Sequence, residues 1–311
     1  MTYKCLQSFL HSLEKEGEVR RISGQVSPLI EMNQFVQEEV LAESPTPSED
    51  AATFDPGRER RGGQALFFED IEGCDFPVAL NTFGSYYRME RALGGRGFET
   101  IAADISKFTK MVPPSGISEL LGMAKQLKPL LSMKPKRLKG KAPCQQVVNL
   151  TENDEVNLLR LPIMKCWPFD GNPQKVGIDV SPEESGTAKG EGRFVTFAGM
   201  HTIHADDRNE AKPTSHNIGM YRAQLIDETH LAMHWHIHHD GAVHWRSWKE
   251  IGQPMPIAIC FGGESVLPYA ATCPLPPGMS ELLMAGYLQG QGIELVKAKS
   301  VPLWVPANSE I

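Results

Sequence analysis

The chain has 311 residues, 41% of them hydrophobic, and a formal net charge of −7. At roughly one domain per ~150 residues this length points to about two domains, and the acidic balance argues against a nucleic-acid role carried by bulk electrostatics. No apolar run approaches the ~18 residues needed to span a bilayer, and Leu6, Phe9, Leu10 and Leu13, at helical spacing among charged residues, do not read as a signal peptide.

Residues 2–16 predict an amphipathic helix capped by Gly17. A short strand follows at 19–22, then a helix over 29–41 with Phe35, Val36 and Val40 on its apolar side. Residues 44–63, rich in Pro, Ser, Asp, Arg and Gly and without periodicity, predict a long surface loop or a disordered insertion. Short strands at 66–68 and 78–80 and helices near 99–110 and 116–131 complete a small N-terminal α/β domain, residues 1–133. The basic run Lys134–Lys141 reads as a connection, either a solvated linker or a contact with an anion or anionic membrane surface.

Beyond it, β-branched and aromatic residues recur in short runs at 146–150, 176–180, 193–204, 218–226, 230–237, 257–261 and 293–298, separated by Gly, Pro, Asp and Asn. That pattern predicts a mostly antiparallel sheet or barrel, interrupted by helices near 243–251 and 280–288, so the overall class is α+β. The six cysteines form no C-x-x-C pair, which suits reduced thiols in the cytoplasm and makes zinc-finger chemistry a poor fit.

Two neighbouring segments hold most of the candidate chemistry. Asn217-Ile218-Gly219-Met220-Tyr221-Arg222-Ala223-Gln224 combines an amide oxygen suited to a hard cation with an Arg that can grip phosphate or carboxylate in two places. Leu231 to Gly241 is crowded with imidazoles: His234, His236 and His238 alternate, so on a strand they share one face. Such a face binds a transition metal or is merely the polar side of a half-buried strand. His230 and His244 read as surface residues, and His201 and His204 carry no clear signal. Glu281 stands where a first-turn acid complements a helix dipole, a role that needs no ligand.

Taken in order, further blocks accompany these: Ala142-Pro143-Cys144-Gln145-Gln146, Leu161-Pro162-Ile163-Met164-Lys165-Cys166-Trp167-Pro168, Pro274 to Glu281, Glu294-Leu295-Val296-Lys297 and Val305 to Ile311. The set resembles the UbiD-type decarboxylases, which use prenylated FMN, and is most similar to the bacterial branch acting on 4-hydroxy-3-polyprenylbenzoate in ubiquinone biosynthesis. The resemblance covers the chain apart from the 44–63 insertion. It implies an N-terminal α/β domain, then a split β-barrel of the flavin-reductase kind (residues 134–311, truncated at its C-terminal end), with the family's C-terminal α/β domain absent.

The resemblance also implies roles. Asn217 and Glu281 would hold Mn2+ against the prenyl-FMN phosphate, with His239 or Asp240 as a third ligand and K+ as a further cation. Met220, Tyr221 and Arg222 would line the cofactor, and Arg222 would also lie near the reacting centre. His234, Trp235, His236, His239 and Asp240 would form the second cofactor-contacting stretch. Relatives carry basic residues where His234 and His239 stand, so compensation of phosphate charge here would depend on imidazole protonation. The substrate would be an aromatic or α,β-unsaturated carboxylic acid, and the partners a flavin prenyltransferase as cofactor supplier and, at full length, further copies of the chain. The location expected is the cytoplasm or the periphery of the inner membrane. Relatives continue past Ile311 into an E-G-P-x-G motif that supplies the proton donor, so this polypeptide alone is expected to be a weak or inactive decarboxylase. A non-catalytic flavin-binding or assembly subunit, and an unrelated metal enzyme built on His234, His236 and His238, are the rival readings.

Overall fold

The computed structural model describes residues 2–109, 133–275 and 280–311. The predicted 116–131 helix and the Pro276–Met279 part of the Pro274 block lie outside the described residues. In chain order the first elements are α1 (Leu6–Lys15), β1 (Val19–Ile22), α2 (Glu31–Leu41), α3 (Ala51–Phe54), β2 (Ala65–Phe68), β3 (Val78–Leu80), α4 (Tyr86–Ala92) and α5 (Phe98–Thr109). Then come β4 (Lys136–Arg137), β5 (Phe194–Val195), β6 (Gly199–Thr202), β7 (Asn217–Met220), β8 (Arg222–Leu225) and β9 (Leu231–His234). The last are α6 (Asp240–Glu250), β10 (Ala258–Cys260), α7 (Leu267–Ala271), α8 (Glu281–Gln289), β11 (Glu294–Lys297) and β12 (Trp304–Pro306).

The class is α+β. Among the described residues the strands form four three-stranded sheets, ordered β1-β2-β3, β10-β6-β7, β12-β11-β4 and β5-β8-β9, and none closes into a barrel. The β5, β6, β7, β8, β9 and β10 pairings are antiparallel, whereas β1 runs parallel to β2 and β4 parallel to β11. The basic run is therefore more than a linker: Lys136 and Arg137 pair with Glu294 and Leu295.

Several elements depart from expectation for physical reasons. The 44–63 stretch is folded: Glu43 bridges Arg61, Ser48 is buried, and α3 sits inside it. On α2, Val40 is exposed and Glu39 is buried instead, because its carboxylate receives the Gln64 amide (2.7 Å) and Arg20 (3.0 Å). The runs at 146–150 and 176–180 form no strand, and Val147, Val176 and Ile178 stay exposed. The 218–226 run is split at Tyr221, which passes the chain from one sheet to the next.

That split positions the site. Along β7 the side chains of Ile218 and Met220 point to one face and Asn217 to the other. Ile218 packs into a core with Leu282, Ala285, Leu288 and Leu295, while Tyr221 joins a second core with Met200, Ala223 and Leu225. Hence β7 carries polar Asn217 at the seam between two apolar clusters. All six cysteines are free thiols, and no described helix is long and apolar enough to cross a membrane.

Candidate cofactor and metal site

Tyr221 is the hub. Its hydroxyl accepts from Asn217 Nδ2 (3.3 Å) and from the Gly241 backbone N–H (3.1 Å). The His239 ring lies 5.2 Å from the Tyr221 ring, and the Trp235 ring meets it edge-on at 6.1 Å. Gly241 is required here, since a Cβ would come within 2.9 Å of Trp235 Nε1 and 3.1 Å of Tyr221 Cε2. Gly219 is stricter: a Cβ there would fall 2.1 Å from the Tyr221 ring. Burial pushes the phenol above its ordinary value, and the Asn217 and Gly241 donors pull it back.

Glu281 arrives from α8. Ser280 caps that helix by accepting from the Leu282 amide, and Gly290, in the left-handed region, ends it. The first-turn carboxylate reaches across to β7, where Glu281 Oε2 accepts from the Ile218 N–H at 3.2 Å. Burial pushes this carboxyl up to about 7; the Glu281 and Ile218 amides lower it, and Asp240 raises it further. Asp240, the first residue of α6, also raises the Tyr221 phenol. Asn217, Tyr221, His239, Asp240 and Glu281 are thus brought around one corner of the fold.

The donor set fits a divalent cation. The half-buried Glu281 carboxyl has no cationic side chain among the described causes of its displacement, Asp240 adds a second acid nearby, and Asn217, with its nitrogen committed to Tyr221, has its amide oxygen left as a hard donor. The corner also fits an anion, because α6 begins there and Trp235 Nε1 is buried with no hydrogen-bond partner among the described residues.

Other predicted residues lie elsewhere. Arg222, at the start of β8, turns to Asp170 (3.1 Å) and stacks its guanidinium 3.8 Å from the centre of the Phe194 ring. His234 pairs in register with Arg222 and is exposed at the end of β9. The strand stops there, so His234, His236 and His238 do not share a strand face. His236 and His238 sit in the following turn with rings 5.2 Å apart, and the His236 amide donates to His239 Nδ1 (3.2 Å). Among the described residues no group of three or more His, Cys, Asp or Glu side chains is placed to hold a metal, which overturns the three-histidine reading.

Spacing also missed a buried imidazole system. His201 Nδ1 and His216 Nε2 share a hydrogen bond of 2.9 Å, and Thr202 Oγ1 and His244 Nδ1 one of 2.8 Å. His244 is therefore a buried residue and not a surface one. Burial holds His216 and His244 near 4 and His201 well below its ordinary value. The only available hint was alternation on a strand, which does not say which face is covered.

The opposite face of β6 and β7 looks onto a cavity of about 630 Å3, lined by His201, Ile218 and Met220 together with residues of α1, β2 and β3.

Comparison with known proteins fixes the family. Residues 136–311 match the 3-octaprenyl-4-hydroxybenzoate carboxy-lyase Rift-related domain and residues 10–108 the N-terminal domain of the same carboxy-lyase. An uncharacterized protein of Aquifex aeolicus is 34% identical over 309 residues, 99% of this chain and 54% of its own length. Vanillic acid decarboxylase of Sedimentibacter hydroxybenzoicus, in closed form, superposes with a TM-score of 0.69 at 23% identity, covering 100% of this chain and 54% of that one. The UbiD-class enzyme HmfF of Pelotomaculum thermopropionicum, in complex with FMN, gives 0.68 at 19% identity, covering 98% and 53%. The chain spans about half the length of the relatives it matches. With both family domains in order and the same fold in decarboxylases, the chain belongs to the UbiD family of carboxy-lyases.

Proposed function

We propose that this chain provides the prenylated-FMN and Mn2+ site of a decarboxylase acting on an aromatic or α,β-unsaturated carboxylic acid, with 4-hydroxy-3-polyprenylbenzoate of ubiquinone biosynthesis as the first candidate. The observation that carries this reading is the approach of half-buried Glu281 to the Ile218 amide beside buried Asn217, which brings residues 64 positions apart in the chain (281 − 217) to one acid-rich corner. Flavin enters because HmfF, a structural neighbour, is solved in complex with FMN. Because the chain covers about half of its relatives, decarboxylation is proposed for the whole enzyme.

In this reading Asn217 and Glu281 hold the cation, with His239 or Asp240 as third ligand, and K+ is a further cation of the site. A cation held there would neutralise the charge of a nucleotide phosphate, and Tyr221 and Trp235 would shape the pocket. His234 and His239, where relatives carry basic residues, would add positive charge when protonated. When bound, prenylated FMN supplies the electron sink that loss of CO2 from an sp2 carbon requires. Met220 packs near the cofactor, and Arg222 orients the substrate carboxylate through parallel N–H donors. The two domains divide near residue 133, with the second built as a split barrel. A flavin prenyltransferase supplies the cofactor, and copies of the chain assemble at full length, in the cytoplasm or at the inner membrane surface.

The test is co-expression with a flavin prenyltransferase, followed by native mass spectrometry and metal analysis. Bound prenyl-FMN with one Mn2+, both reduced in Asn217→Ala and Glu281→Gln, is the expected result. Absence of flavin and metal from both this chain and a version extended to the relatives' length overturns the proposal. A second reading is a non-catalytic flavin-binding or assembly subunit. It predicts retained flavin and no CO2 release when the remaining half is supplied.

A further inference from the structure

The cavity behind β6 and β7 has the make-up of a second binding site. Its volume of about 630 Å3 falls within the range of small-molecule pockets. Leu10, Phe67, Leu80, Phe197, Met220 and Leu267 supply apolar wall from both ends of the chain, and the described lining contains neither lysine nor arginine. Burying so much apolar surface around an open volume forfeits packing contacts that an apolar occupant would restore.

One lining residue breaks this pattern. Glu264 is 2% exposed, its Oε1 accepts from Asn308 Nδ2 (3.0 Å), and its Oε2 is buried without a hydrogen-bond partner among the described residues. Burial pushes this carboxyl up to about 7, with Asn308, its own amide and Lys4 lowering it and Glu294 raising it. An unsatisfied buried carboxyl oxygen costs free energy that a hydroxyl from a ligand would recover, and a hydroxyl can donate to or accept from it. A carboxylate ligand would instead meet Glu264 and Glu310 with no lining cation to offset them.

We infer that this cavity binds a neutral lipophilic molecule with a hydroxyl or phenol group, its apolar body against the aromatic and aliphatic walls and its hydroxyl on Glu264 Oε2. Ile218 and Met220 face it from the side of β7 opposite Asn217; Met220 is the one lining residue that the flavin reading also uses, and the inference itself requires no flavin or metal.

The experiment is calorimetric titration of the purified, flavin-free chain with para-octylphenol and, in parallel, para-octylbenzoate. Binding of the phenol roughly tenfold tighter than the benzoate is expected. Glu264→Leu should weaken the phenol by a similar factor, Glu264→Gln should largely keep it, and Ala79→Trp, which fills the cavity from β3, should abolish it while circular dichroism stays native. Failure of the phenol to bind, equal or tighter binding of the benzoate, or undiminished binding to a folded Ala79→Trp chain overturns the inference. The wild-type comparison of the two ligands needs no variant to fold. Loss of flavin binding in the prenyltransferase experiment would leave this outcome unchanged.

Discussion

The Ile218 backbone amide donates to Glu281 Oε2 across 3.2 Å, so the first-turn carboxylate of α8 rests against the strand residue that follows Asn217. A helix dipole alone would leave that acid free in solvent; here it is half-buried and displaced up to about 7. Adding Mn2+ at neutral pH should raise the melting temperature of the wild-type chain, since a ligand that binds only the folded state stabilises it. Asn217→Ala and Glu281→Gln should abolish that rise. An equal Mn2+ response in both variants would place the cation elsewhere.

Gly219 gives a sterically sharper prediction. A methyl group there would collide with the Tyr221 ring, whose hydroxyl binds both Asn217 and Gly241. Gly219→Ala should therefore displace Tyr221 and cost about 1–3 kcal/mol of stability, the range for overpacking. Urea denaturation measures the loss, and adding Tyr221→Phe should recover little of it because the collision is with the ring itself. A neutral Gly219→Ala would mean that the ring can move freely.

The sequence disclosed the local elements better than their partners. Val19–Ile22 and Val78–Leu80 form the strands that their β-branched runs imply, and the pattern beginning at 99 gives α5, which starts one residue earlier at Phe98. Asn217, Tyr221, His239, Asp240 and Glu281 were legible as a group because they occur in ordered family blocks, and the fold gathers them. What a one-dimensional pattern could not reveal was which face is covered. His244 looked like a surface residue and is buried on Thr202, and Val40 looked like core and is exposed while Glu39 is inside. Asp170, the partner of Arg222, lies 52 positions away in a loop with no spacing signal.

Arg222 should separate function from stability. Its ion pair with Asp170 is partly exposed, with side-chain exposures of 44% and 16%. Pairs of this kind contribute at most about 1 kcal/mol. Arg222→Ala should then shift the urea midpoint little. In an enzyme of the relatives' length it should lower kcat/KM for decarboxylation by roughly 100-fold or more, because a two-point carboxylate contact is lost. Arg222→Lys should restore charge without restoring the planar fork. Full activity in Arg222→Ala would remove this residue from the reacting centre.

Arg88 should behave in the opposite way. It is fully buried on α4, paired with Glu18 at 3.0 Å, and it donates to the carbonyls of Gly62 (2.8 Å), Gly63 and Asn81 (3.2 Å). Removing it strands the buried Glu18 carboxylate, so Arg88→Ala should cost about 3–5 kcal/mol in urea denaturation. The same truncation in a Glu18→Gln background should cost less, because no buried charge is then left alone. Equal costs in the two backgrounds would show that the carbonyl contacts, and not the ion pair, carry the effect.

Glu264 sets a pH dependence that can be isolated by difference. Its carboxyl is displaced from 4.5 to about 7, so it keeps its proton in the folded chain where the unfolded chain has already released it. Stability from this group is therefore present below about pH 4.5 and lost as pH rises to about 7, by an amount of roughly 3 kcal/mol for a displacement of about 2.5. The buried imidazoles of His201, His216 and His244 act with the reverse sign, because they stay neutral in the folded chain where the unfolded chain takes up protons. The two effects overlap in the wild type, and only a comparison at matched pH separates them. Glu264→Gln should gain stability relative to wild type between about pH 5 and about pH 8, with the increase complete near neutrality. Urea midpoints of the two chains across that range supply the measurement, and a difference that stays constant with pH would show that this carboxyl is ionised throughout.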